Sequence, residues 1–193
     1  LAFSADSQSL ISSGLDNVVR VWDVSSREDG HEMRVIADHN GSVTSLAVSA
    51  VGNIFVSAGV DGTARVYDGT TLEPIATFVN VGDQDFAVLS PDNYYSATPK
   101  AASGLAFRQA NQVFTFEQFD VAFNRPDIVF EKLGTVGAEK IADYSAAHDK
   151  RVSRLDTSVS GAHAGAPIPE VGVYHAGAMS AQTRDYDLRV VAH

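Results

Sequence analysis

The sequence predicts a mainly β chain. Repeated four-stranded antiparallel leaflets come first, then a short helical connector, then the opening of a second β-rich segment. Three observations predict this. "LAFSADSQSLISSGLDNVVRVWDV" (Leu1–Val24) recurs without a gap as "LAVSAVGNIFVSAGVDGTARVYDG" (Leu46–Gly69), a period of about 45 residues that suits a four-stranded repeat unit. Within each copy, apolar residues alternate and turn residues interrupt them. Past Phe119 the pattern changes to helix-like spacing between capping residues.

The second copy shows the elements in order. "SLAVS" alternates, with Leu46 and Val48 facing one way. "NIFVSAG" is a short apolar run closed by "VDGT", whose Asp-Gly suits a tight hairpin. "TARVYD" alternates again, with Ala64, Val66 and Asp68 on one face, and "EPIATF" (Glu73–Phe78) makes a fourth strand. One such leaflet cannot bury both of its faces, so neighbours must stack on it. From Phe78 to Asp120 the β pattern continues as a degenerate third leaflet. Its strands are expected at Phe86–Leu89, Tyr94–Ala97, Gly104–Phe107 and Val113–Phe116, with "SPDN" as a turn.

These copies resemble the WD-repeat family of β-propellers. "VWD" (Val21–Asp23) matches the family signature, "VYD" (Val66–Asp68) a variant, and "DHNGSV" (Asp38–Val43) the place of the Gly-His pair that opens a repeat. The resemblance implies a partial propeller of about two and a half to three blades. It also implies a buried hydrogen-bonded tetrad in each blade. The second blade would use His39, Ser57 and Asp61, with Tyr67 in place of Trp. The first offers Ser12, Asp16 and Trp22, and its His would precede Leu1. A His between an Asp and a Ser also has the makings of a hydrolase triad. Blade packing predicts the same spacing, so the reading here is structural: a satisfied polar network that ties strand to turn.

"NRPDIVFEKLG" is composed as a helix start and stop. Asn124 can cap, Pro126 suits the first turn, Asp127 favours the N-terminal dipole and Gly134 suits the position after the helix. Asn124 and Asp127 have the spacing of a capping box. In "AEKIADYSAAHDKRVSRL", residues Ile141, Tyr144, His148, Val152 and Leu155 recur at near-helical intervals, opposite a charged face. "DTSVSGAHAGAPIPE" reads as a linker, after which "EVGVYH" and "YDLRVVAH" resume alternation.

This order resembles a subgroup of bacterial WD-repeat proteins. There the propeller ends in an "FDxxxNRPDxVxxxLG" motif, followed by a helical region with a Lys-Arg pair and a Pro-Glu-Val strand that opens an immunoglobulin-like sandwich. A caspase-like peptidase domain often follows. Phe119, Asp120, Asn124, Arg125, Pro126, Asp127, Val129, Leu133 and Gly134 match, as do Lys150, Arg151, Pro169, Glu170 and Val171. The expected organisation is a partial propeller over 1–120, a helical connector over 121–156, a linker over 157–169 and the start of a β-rich segment over 170–193. Arg125 and Asp127 have a second reading, as a charged recognition site; capping and docking explain both without a ligand.

Composition narrows the function. The 193 residues carry a formal net charge of −10, which argues against a nucleic-acid surface and favours basic partners. No apolar run approaches the roughly 20 residues of a membrane span. The chain has no cysteine, so it holds no disulfide, thiolate zinc site or Cys nucleophile. His163 and His175, taken with His148 or Asp149, lack metal-ligand spacing. Asp83 and Asp85 read as turn residues, and "SGAHAGA" lacks a phosphate-binding Lys. "KRVSR" reads as a helix face paired with nearby acids.

No catalytic, cofactor-binding or metal residue is therefore expected. The expected function is noncatalytic protein–protein interaction or scaffolding; the alternative is the regulatory part of a caspase-like peptidase. Partners are other proteins, with no nucleic acid or membrane. Leu1 opens inside a strand-like run, so further blades or self-association are expected, and a cytoplasmic location is favoured.

Overall fold

The computed structural model describes residues 1–26, 30–51, 53–109, 112–154 and 170–173, of which 109 and the last four are described by backbone alone. The linker, His163, His175, Leu155, Pro169 and "YDLRVVAH" lie outside these residues.

The first leaflet is a sheet in sequence order: β1 (Ala2–Phe3), β2 (Ser9–Ser13), β3 (Val19–Asp23) and β4 (His31–Ile36). The second runs β5 (Val43–Val48), β6 (Ile54–Gly59), β7 (Thr63–Asp68) and β8 (Pro74–Val81). The repeat extends to details. The β2–β3 hairpin places Asn17 at φ 66°, and the β6–β7 hairpin places Gly62 at φ 74° in the equivalent position. Asn and Gly are the residues that tolerate this left-handed conformation. Both sheets also carry a register irregularity just before the aromatic residue, at Val21/Trp22 and Val66/Tyr67.

The leaflets stack face to face. Ile11, Val19, Val21 and Ile36 of the first form one buried cluster with Val43, Phe55, Tyr67 and Leu72 of the second. Phe55 and Tyr67 are register partners and stack, ring centroids 4.9 Å apart.

The third leaflet differs from expectation. Its strands exist as β9 (Asp85–Leu89), β10 (Tyr95–Ala97), β11 (Leu105–Gln109) and β12 (Gln112–Thr115), but they divide between two sheets. β8 continues to Val81, beyond the expected end at Phe78, and a tight loop with Gly82 at φ 83° returns the chain as β9. β9 and β10 therefore extend the second blade into a six-stranded sheet. A short helix α1 (Pro99–Ser103), absent from the sequence reading, crosses to β11. The strand expected at Glu170 is present as β13 (Glu170–Val173). It pairs antiparallel with β11 and so lies in the third sheet.

Phe119, Phe107, Leu105 and Tyr95 form a second core with Val79, Ala87 and Leu89. Beyond it come α2 (Asp120–Phe123), α3 (Pro126–Leu133) and α4 (Ala138–Arg154). Val129 of α3 is fully buried against Ala76 and Val88, on the opposite face of the six-stranded sheet from β11. Gly134 ends α3 at φ 64°, left-handed as its position suggested. No helix among the described residues is long and apolar enough to cross a membrane.

Candidate functional site: a sealed polar network and a charged junction

The loop before β5, strand β6 and the β6–β7 turn bring His39, Ser57 and Asp61 together. His39 Nδ1 lies 3.0 Å from Asp61 Oδ2, and Nε2 lies 2.7 Å from Ser57 Oγ. The carboxylate selects the tautomer: Nδ1–H donates to Asp61, and Nε2 accepts from the Ser57 hydroxyl. Asp61 also accepts from the Asn40 and Thr63 backbone N–H groups and from Thr63 Oγ1. Burial pushes the Asp61 carboxyl up, but the bonds from His39, Asn40 and Thr63 outweigh it and hold the group far below the usual carboxylate range.

The connectivity is that of an acid–base triad, yet the site is closed. Exposure is 2% at His39, 0% at Ser57 and 7% at Asp61, leaving no approach for a substrate to the serine oxygen. The packing is tight: a Cβ on Gly59 would stand 2.9 Å from His39 Nδ1. A nucleophile must face the reacting carbonyl; Ser57 is fully buried and bonded to His39.

Tyr67, expected as the fourth member, is fully buried. Its hydroxyl lies 3.4 Å from Asp38 Oδ2. Burial pushes the phenol up and Asp38 adds to that, while Arg65 and a hydrogen bond with Ser57 pull the other way. The first blade holds a reduced version. Trp22 Nε1 donates to Ser12 Oγ at 2.8 Å. Asp16 instead accepts from Arg20 at the surface, because no His among the described residues reaches it. Sequence reasoning missed Asp38, Asn40 and Thr63; Thr63, two residues after the turn Asp, had the spacing of a side chain-to-backbone turn.

The second constellation lies where the sheets meet the helices. Asp120 Oδ1 accepts from the Tyr95 hydroxyl at 2.6 Å and from Asn124 Nδ2 at 2.9 Å. Arg151 donates to the Asn124 carbonyl at 2.7 Å and stands 3.7 Å from Asp120. His148 Nε2 lies 3.0 Å from the Val121 carbonyl. Arg125 grips Asp127 through Nε and a terminal nitrogen at 2.9 and 2.6 Å. Burial of Tyr95, then the Asp120 carboxylate, pushes its phenol up.

Two expectations are corrected here. Asn124 does not cap α3: the residue before the helix is Arg125, and no side chain caps it. Asn124 forms a backbone bridge with Tyr95, and the Arg125 N–H donates to the Tyr95 carbonyl. That pairing turns the Asn124 side chain toward Asp120. The capping box fails for a related reason, since Asp127 is committed to Arg125. Pro126 does open α3, and Phe119 is buried in the aromatic core. Lys150 stays exposed, whereas Arg151 makes the contact with acids expected of "KRVSR". Asp83 is exposed in the β8–β9 loop, whereas Asp85, read as a turn residue, instead opens β9 and accepts from Thr98 Oγ1. No cluster of three or more metal-ligating side chains occurs among the described residues.

Stacked four-stranded leaflets, with a sealed His–Ser–Asp fastening in the second, have the architecture of a partial β-propeller. The family described as "WD domain, G-beta repeat" matches residues 1–23 and 30–68, the two leaflets. The chain is 34% identical over 94 residues to "Periodic tryptophan protein 2 homolog" of Dictyostelium discoideum, covering 48% of this chain and 10% of that protein. It is 29% identical over 106 residues to "Autophagy-related protein 16" of Arabidopsis thaliana, covering 52% and 20%. It is 30% identical over 101 residues to "MST50-interacting protein 11" of Pyricularia oryzae, covering 51% and 30%. The chain thus spans less than a third of the length of each of these relatives.

Proposed function

We propose that this chain is a noncatalytic protein–protein interaction or scaffolding module of the WD-repeat propeller type. The observation that carries this is the closed His39–Ser57–Asp61 network. The constellation with catalytic connectivity is inaccessible and fully engaged in holding its blade. Exposed apolar residues stand on the blades instead, Phe3 and Val35 on one and Phe78 and Phe86 on the other. One relative is named for an interacting partner, MST50, which supports the same class of function.

The test is chemical cross-linking of the chain in extract, with mass spectrometry of the linked sites. Cross-links to other polypeptides concentrated on β1–β8 and their loops are the expected result. Hydrolytic turnover of an ester or peptide panel, abolished by Ser57→Ala in a folded variant, would overturn the reading.

A second reading rests on the junction. The "FDxxxNRPD" motif and the Lys-Arg pair resemble those of bacterial WD-repeat proteins often joined to a caspase-like peptidase. Arg151 and His148 tie α4 to α2 and the residue after it, through the Asn124 and Val121 carbonyls. On this reading the blades sense a partner and the connector passes the signal to a peptidase. Sequencing the coding region downstream of His193 tests it: a His and Cys pair in peptidase context supports it, and a stop codon overturns it.

A further inference from the structure

Arg20 and Arg65 hold the same place in the two repeats, one residue before Val-aromatic-Asp. Their surroundings differ. Arg20 lies 2.5 Å from Asp16 and 3.3 Å from Glu32. The second blade supplies neither carboxylate. Asp61, the counterpart of Asp16, is already engaged by His39, Asn40 and Thr63. Pro74 faces Tyr67 where Glu32 faces Trp22, and neutral Thr77 lies directly across from Arg65. Among the described residues Arg65 enters no ion pair, and its Nε–H is buried without an acceptor. Such groups are rare in folded proteins, because an unmet buried donor forfeits its bond to water.

The position of Arg65 on the sheet gives this a use. Ser57 and Thr77 flank it in register on the same face. To one side lie Phe55 and Tyr67, packed against the first blade; to the other lie Val79 and Leu89, packed against β11 and Phe119. Arg65, partly buried, therefore has its register position between the two clusters. A planar fork of N–H donors matches the two oxygens of a carboxylate.

We propose that Arg65 is the docking point for a single carboxylate carried by a partner polypeptide, which takes the place that Asp16 and Glu32 occupy around Arg20. This rests on the protein-interaction reading above. The partner segment carries no further acidic run, since a chain of net charge −10 repels one while a short-range ion pair still forms.

The test selects peptides from a random displayed library on the whole chain and measures their affinity by fluorescence polarisation. The expected peptides share one Asp or Glu. Changing that residue to Asn or Gln, or making Arg65→Gln, weakens binding by about tenfold or more. Thr77→Glu, which supplies a carboxylate from across the ladder, has the same effect without lowering the melting temperature. It carries the test alone if Arg65→Gln fails to fold. Peptides that lack an acid, or that bind folded Arg65→Gln or Thr77→Glu as tightly as the parent, overturn the Arg65 site and leave the interaction module standing. Absence of both peptide binders and cross-linked partners overturns the two together.

Discussion

At the scale of single residues, the polar network is a stability device with a pH signature. Asp61 has a folded pKa far below its unfolded value of roughly 4. Its stabilisation is therefore complete above that value and is lost as pH falls toward the folded pKa. Comparing melting temperatures of the parent and Asp61→Asn should show a wide gap at neutral pH that narrows below about pH 4. A gap independent of pH would contradict the charged network. Trp22 offers a contrast. It is half-buried and bonded to Ser12, so Trp22→Ala should cost about 2 kcal/mol in urea denaturation, below the range of roughly 3–5 for a fully buried Trp.

At the scale of elements, α3 is the telling case. It seats Val129 between β8 and β9 by way of Ala76 and Val88. Val129→Ala should cost about 2 kcal/mol by chemical denaturation, since the rigid sheet beneath cannot close the gap. Gly134 has open space where a Cβ would stand; Gly134→Ala should still lose about 1 kcal/mol through its positive φ alone. The helix was legible because its start, stop and apolar residues are local signals. Its N-terminal cap was misread because Asn124 is claimed by Tyr95 and Asp120, one distant in sequence and neither signalled by spacing.

At the scale of the whole molecule, the two blades were legible because a repeat reports packing twice over. Hydrophobic positions, turns and even the register irregularities recur at one offset. The third leaflet lost that redundancy. Its strands were found by alternation, but alternation does not say which strand pairs with which, and the β8–β9 hairpin decided it. His39, Ser57 and Asp61 converge in the second blade, while Arg65 became conspicuous only against the ion pairs of Arg20. The outer faces remain apolar: Phe3 is 61% exposed and Phe86 46%. The internal stacking of one blade on the other supplies a template for head-to-tail association, which need not close into a ring. Sedimentation velocity should show mass rising with concentration, and Phe78→Lys with Phe86→Lys should suppress it; a concentration-independent monomer would contradict this.

The single sheet from β5 to β10 has a mechanical corollary. Tension applied through the helices reaches Tyr95 and Asn124 first and spreads along six hydrogen-bonded strands. Pulled in an optical trap, the second blade and the strands beside it should therefore rupture as one event, with no earlier step in which β9 and β10 peel away.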